Sequence, residues 1–115
     1  MTDTPMREPT FLVLTALAEE PRHGYAVIED VAAMTGGRVR LRAGTLYAAL
    51  DRLRTEGLIE VDREEIVQSR LRRYYRLAAA GERALAAETA RLRSQATIAE
   101  GRLRARRTGL GGAPA

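Results

Sequence analysis

The chain has 115 residues, a formal net charge of +4, one histidine and no cysteine. That length suits a single small domain with an appendage and a modest core. Disulfides and thiolate chemistry are excluded, and a lone His23 leaves a metal site or a histidine-based triad without support.

Residues 1–8 are expected to form a flexible N-terminus, followed by a helix in which Pro9 occupies the first turn, where its missing N–H costs nothing. The run from Thr10 to Ala18 is apolar at nearly every position, as a helix buried between others would be, and Glu20-Pro21 ends it. A second helix is expected from His23-Gly24 to Met34, with Tyr25, Ile28, Val31 and Ala32 on one face. Thr35-Gly36-Gly37 closes it, Gly36 being free to turn left-handed. Residues 38–41 are extended in character, a short strand or a linker.

The third helix, 44–56, places Leu46, Ala49, Leu50 and Leu53 inward. Gly44, Ala48, Asp51, Arg52 and Thr55 lie opposite, with Thr45 and Tyr47 on the flanks, and Gly57 stops the helix. Two strands are expected at about 58–65 and 71–78, joined by a loop over 66–70. In the second strand Leu71, Arg73, Tyr75 and Leu77 share the inward face, while Arg72, Tyr74 and Arg76 share the other. The last helix should span 80–107. There Leu85, Thr89, Leu92, Ala96, Ala99 and Leu103 alternate spacings of four and three, the seam of a helix packed on another helix. So small a core cannot cover it, and a second copy of the chain is the expected cover. Residues 108–115 read as a disordered tail.

All nineteen basic residues are arginines, and they are not evenly spread. Residues 1–37 carry two arginines against six acids, while 38–57 carry five against two. Residues 58–65 are acidic again, and 66–81 hold four arginines with no acid. Residues 82–115 hold seven arginines against three acids. Basic charge therefore gathers on the third helix, the returning strand and the C-terminal region, the electrostatic footprint of a nucleic-acid binder. A helix with small polar groups outward, followed at once by a basic hairpin, is the order of parts of a winged helix-turn-helix. The expected fold is thus mainly α with a small antiparallel β wing (α+β), a winged helix-turn-helix over 9–79 with a C-terminal dimerisation helix.

Four motifs carry a family resemblance: Glu20-Pro21-Arg22-His23-Gly24-Tyr25, Gly44-Thr45-Leu46-Tyr47-Ala48-Ala49-Leu50, Gly57-Leu58-Ile59, and Arg72-Arg73-Tyr74-Tyr75-Arg76-Leu77 with Gly81. In order and spacing these resemble the PadR-like family of bacterial transcriptional regulators over roughly residues 9–85. The resemblance implies a homodimer held through the C-terminal helix and binding to a palindromic operator, usually as a repressor. It also implies that the third helix enters the major groove and that the wing touches backbone or minor groove. Ala78 stands where the family usually has threonine, and Ala48 replaces the proline that commonly follows the Leu-Tyr pair. The last helix is short and carries no aromatic residue.

The candidate DNA-binding residues are Arg42, Gly44, Thr45, Tyr47, Ala48, Arg52, Arg70, Arg72 and Arg73, and the candidate dimerisation residues are the six seam positions. Arg42 reads as a phosphate clamp, and Thr45 lies near a helix N-terminus that favours phosphate. Gly44 allows close approach to DNA or to a neighbouring helix. Tyr47 either donates to a phosphate or packs at the core edge, and Arg52 either reads a base or pairs with neighbouring acids. Tyr25 reads as a packing residue and His23 as a structural one. Glu60, Asp62, Glu64 and Glu65 read as solvated positions of an edge strand rather than a metal site. No catalytic constellation and no cofactor is expected, and the cytoplasm is the expected location, since no apolar stretch approaches a membrane span and Met1-Thr2-Asp3-Thr4-Pro5 is unlike a signal peptide. The expected partners are double-stranded DNA, a second copy, and a small-molecule effector of unidentified kind. The rival reading is a protein–protein adaptor whose last helix docks another protein.

Overall fold

The computed structural model describes residues 5–109, which form four α-helices and a three-stranded antiparallel sheet. In α1 (Glu8–Ala18), Leu12, Val13, Leu14, Ala16 and Leu17 are all buried. A helix so evenly apolar needs cover on several sides, and α2, α4 and the sheet supply it. The chain then makes β1 (Arg22–His23), a two-residue strand that the sequence reading lacked because no periodicity exists in so short a segment. Arg22 fixes this corner: its Nε donates to the Ala16 carbonyl at 2.8 Å, and its guanidinium lies 3.6 Å from both Glu19 and Glu20.

α2 (Gly24–Met34) turns Gly24, Val27 and Val31 into the core. This corrects the expected inward face: Tyr25 is 63% exposed. The space beneath the helix start belongs instead to Tyr47, whose hydroxyl oxygen sits 2.3 Å from where a Cβ on Gly24 would be. Residues 38–42 form no strand, yet Val39 and Leu41 pack against the core. Arg38 is clasped by Glu8 (Nη1–Oε1 3.3 Å), and the Val39 N–H donates to the Thr35 hydroxyl at 3.0 Å.

α3 (Ala43–Thr55) buries Leu46, Leu50 and Leu53 completely. Its end is set by Gly57, which takes φ +77° while its N–H reaches the Arg54 carbonyl and that of Leu58 reaches Leu53. That left-handed closure delivers Leu58 and Ile59 straight back to the core.

β2 (Ile59–Val67) and β3 (Arg70–Leu77) form the wing, and the sheet order is β1-β3-β2. β2 runs further than expected and β3 begins one residue earlier: the loop is not 66–70 but Gln68 and Ser69 alone, both left-handed at φ 51° and 66°. Such a two-residue turn matches the twist of the strands, though Asn-Gly rather than Gln-Ser is its usual signature. The pairing sets Ile59 against Leu77 and Val61 against Tyr75 over the core, then shifts between Val61 and Arg63. Asp62 is the extra residue of this bulge, and beyond it Arg63, Glu64 and Glu65 face Tyr74, Arg73 and Arg72.

α4 (Ala79–Arg107) begins where Gly81 is wedged under the chain, its would-be Cβ only 2.0 Å from the Leu58 carbonyl oxygen. Ala78 caps the helix with no side-chain hydrogen bond. Leu85 still packs on the core, and buried Glu88 holds Arg91 (Nε–Oε1 2.9 Å) and accepts from the Met6 backbone. Met6, within the N-terminal segment read as flexible, packs against the core. Beyond Arg91 nearly every residue of α4 is exposed, including Leu92, Ile98 and Leu103. No described helix is long and apolar enough to cross a membrane.

Candidate nucleic-acid interface

α3 and the wing face one another across an open groove of about 480 Å³ lined by His23, Tyr25, Tyr47, Asp51, Arg70 and Arg72 among others. The groove exists because the two-residue turn lets β3 run out to Arg70 while Tyr75, five residues on, is already buried. One wall is the hairpin, and α3 contributes Tyr47 and Asp51 to the other; Arg42, Gly44, Thr45 and Ala48 are open to solvent nearby on the chain without lining the groove.

Each expected site residue now has a place. Arg42 is the N-cap residue of α3, and its side chain is exposed and makes no cap hydrogen bond. A Cβ on Gly44 would meet nothing within 4 Å, so no neighbouring helix requires the glycine. Tyr47 packs its ring end on Gly24, and the side chain remains 47% exposed within the groove. Arg52 turns away toward α1, donating from Nη2 to the Thr10 hydroxyl at 3.1 Å and lying 3.7 Å from Glu56.

The wing arginines divide into two kinds. Arg73 donates to Glu64 at 2.8 Å, and Arg76 spans Glu60 and Asp62 at 3.2 and 3.1 Å. These contacts hold both guanidinium groups more firmly charged than usual. Arg70 and Arg72 have no carboxylate within ion-pair distance among the described residues. The acids of β2, read as a solvated edge, are thus the partners of β3, and among the described residues no acid and histidine cluster could hold a metal ion.

His23 joins α2 to the wing. Its Nδ1 accepts the Ala26 N–H at 3.3 Å, capping α2, and its ring meets Tyr74 edge-on at 5.3 Å. Burial first and the Arg72 charge second hold its pKa below the ordinary value, which keeps Nδ1 free to accept. The Arg63 guanidinium lies over the Tyr74 ring, 3.8 Å from its centroid, and the tyrosine hydroxyl donates to Glu65 at 3.0 Å. Tyr25 and Asp51 are among the groove residues absent from the sequence-based candidates, as are His23, Val67, Gln68, Leu71 and Tyr75. Counting Gly24, Val27 and Val31 as the buried set of α2 would have turned Tyr25 outward, whereas Asp51 gave no signal beyond its place on the polar face.

The architecture has relatives. The family model for the transcriptional regulator PadR-like family matches residues 13–87, from within α1 to the early turns of α4. The chain belongs to the PadR-like family. Among solved structures, a PadR family transcriptional regulator from Eggerthella lenta is 30% identical with a TM-score of 0.68, the match covering 83% of this chain and 80% of that one. A PadR family transcription regulator from Clostridium difficile shares the fold at 22% identity and a TM-score of 0.68, over 82% of this chain and 96% of that one. Bacillus subtilis PadR, solved in complex with operator DNA, shares it at 22% identity and a TM-score of 0.62, over 69% of this chain but 46% of that one. An uncharacterized protein from Lysinibacillus sphaericus is 27% identical over 70 residues, and the matched region spans 61% of this chain and 64% of that protein. In this PadR-like chain, the stretch outside the match is mainly the exposed half of α4.

Proposed function

We propose that this PadR-like protein regulates transcription by binding a palindromic operator as a homodimer, with repression as its mode of action. The observation that carries the proposal is the groove itself: α3, through Tyr47 and Asp51, stands beside a hairpin whose Arg70 and Arg72 have no carboxylate within ion-pair distance among the described residues. A helix with Gly44 and Ala48 at its exposed start lets its backbone approach base edges closely, and the arginines then meet the flanking phosphates. Arg42 and Thr45 flank the same helix start, and Tyr47 offers its hydroxyl from the groove wall. Arg73 joins the contact when phosphate displaces Glu64, and Arg52 serves mainly to hold α3 to α1.

The second copy is proposed to cover α4. Leu92, Ala96, Ala99 and Leu103 form a stripe that is exposed among the described residues, while Leu85 and Thr89 continue that stripe to the core. An exposed apolar row of this length on a 29-residue helix favours association. A dimer arm over residues 80–107 would then fix the spacing between two α3 helices.

The test is a fluorescence-anisotropy titration of the full chain against DNA from upstream of its own gene, with light scattering in parallel. The reading predicts a dimer and binding that survives physiological salt and outlasts competition from unrelated DNA. A monomer, or affinity equal for every DNA, would sink it. Affinity lost at physiological salt would favour the adaptor reading instead.

A further inference from the structure

Asp51 stands on the exposed face of α3 and makes no side-chain hydrogen bond or ion pair among the described residues. Leu46, Leu50 and Leu53 turn the opposite face into the core, which leaves Gly44, Ala48, Asp51 and Thr55 as one outward stripe at spacings of three and four. Asp51 is the charged member of that stripe. Arg52, next around the helix, is drawn aside by Thr10 and Glu56. Asp51 also lines the groove shared with Arg70 and Arg72, yet it has no ion-pair partner among the described residues.

An uncompensated carboxylate on a surface that meets phosphates repels every duplex alike. Its attraction must come from hydrogen-bond donors, and the donors on base edges in the major groove are the exocyclic amino groups, N4 of cytosine and N6 of adenine. Gly44 and Ala48, two turns and one turn before it, let the helix come near enough for the short aspartate side chain to reach a base. We propose that Asp51 is a base-reading residue that accepts a hydrogen bond from an exocyclic amino group, making the complex selective at one base pair per half-site while lowering its affinity for DNA in general. The inference rests on the groove between α3 and the wing being the DNA-binding face.

The experiment is in-vitro selection from a random duplex library with the wild type, Asp51→Ala and Asp51→Asn, followed by titration of the enriched sequence. Since Asp51 is exposed, both variants should fold, and unchanged melting curves check it. The expected result is that Asp51→Ala loses selection at one base pair per half-site by about ten-fold, keeps it elsewhere, and binds random DNA at least as tightly. At that pair the enriched cytosine is replaced by 2-pyrimidinone, or the enriched adenine by purine, which deletes the amino group alone. This should weaken the wild type and leave Asp51→Ala unchanged, and which replacement does so tells cytosine from adenine. Asp51→Asn should shift selection toward adenine, the base an amide pairs with best. Identical enrichment by all three proteins, or equal weakening of wild type and Asp51→Ala by amino deletion, overturns the assignment while leaving DNA binding intact. If no protein enriches any sequence, the DNA-binding reading falls and this one with it.

Discussion

Arg70 and Arg72 owe their availability to what stands across the hairpin. Arg70 faces Val67, which has no charge to offer. Arg72 faces Glu65, but that carboxylate already accepts the Tyr74 hydroxyl and lies 3.7 Å from Arg63. Arg73 has no such rival for Glu64 among the described residues, and Arg76 has Glu60 to itself while sharing Asp62 with Arg63. A phosphate contact by Arg70 or Arg72 therefore displaces nothing, whereas one by Arg73 must displace Glu64. Replacing Arg70 or Arg72 by alanine should weaken binding to all DNA alike and reduce the slope of log affinity against log salt by about 0.9 each. Arg73→Ala should cost less, and Glu64→Gln should tighten binding by releasing Arg73. Titrations at graded salt read all four variants, and an Arg73→Ala effect larger than that of Arg70→Ala would contradict the division. His23 supplies a second test at this scale. Its fold favours the neutral ring, so the unfolded chain takes up the proton first as pH falls. Stability should be full above the ordinary value near 6.5 and decline from there toward the lower folded-state value, below which the decline is complete. Denaturant curves between about pH 8 and pH 5 should show this, and His23→Asn, which caps without titrating, should flatten it. Glu8 and Glu88 are held below their usual range by Arg38 and Arg91, so their stabilisation is lost at lower pH, as the carboxylates protonate.

At the scale of elements, α4 starts poorly and is positioned well. Ala78 already has the extended backbone of a cap residue, φ −85° and ψ 167°, but lacks an oxygen to offer the free N–H groups of the first turn. Ala78→Ser should raise stability by about 1 kcal/mol in chemical denaturation, and no gain would mean that the first turn is satisfied in another way. The helices were legible in the sequence because the signals that fix them are local: the leucines at 46, 50 and 53, the Gly36 and Gly57 stops, and Pro9 at the start. What sequence left unread depends on contacts across the chain. β1 exists through its pairing with β3 and has no pattern of its own. The face of α2 was misread because the site under Gly24 is filled by Tyr47 from α3, which pushes Tyr25 outward. The turn was placed too wide because Gln68 and Ser69 are poor left-handed formers, so nothing in their chemistry announced so tight a loop. The division of the wing arginines follows from register and the Asp62 bulge, which alternation along one strand cannot reveal.

At the scale of the molecule, the described chain measures 71 × 32 × 21 Å with a radius of gyration of 18.5 Å. A globule of this length would have a radius near 13 Å, and the difference lies in α4, whose 29 residues extend roughly 43 Å at 1.5 Å each. The core covers Leu85 and Glu88 and ends there, leaving the stripe through Leu103 exposed among the described residues. If a second copy covers it, two α3 helices are held at a fixed distance and the symmetry of the protein is imposed on its DNA. The most direct measurement of that claim is a hydroxyl-radical footprint of the protein on DNA from upstream of its gene. The account predicts two protected patches related by two-fold symmetry, with centres about 10 base pairs or a multiple apart. A single asymmetric patch, or protection spread evenly along the DNA, would contradict it.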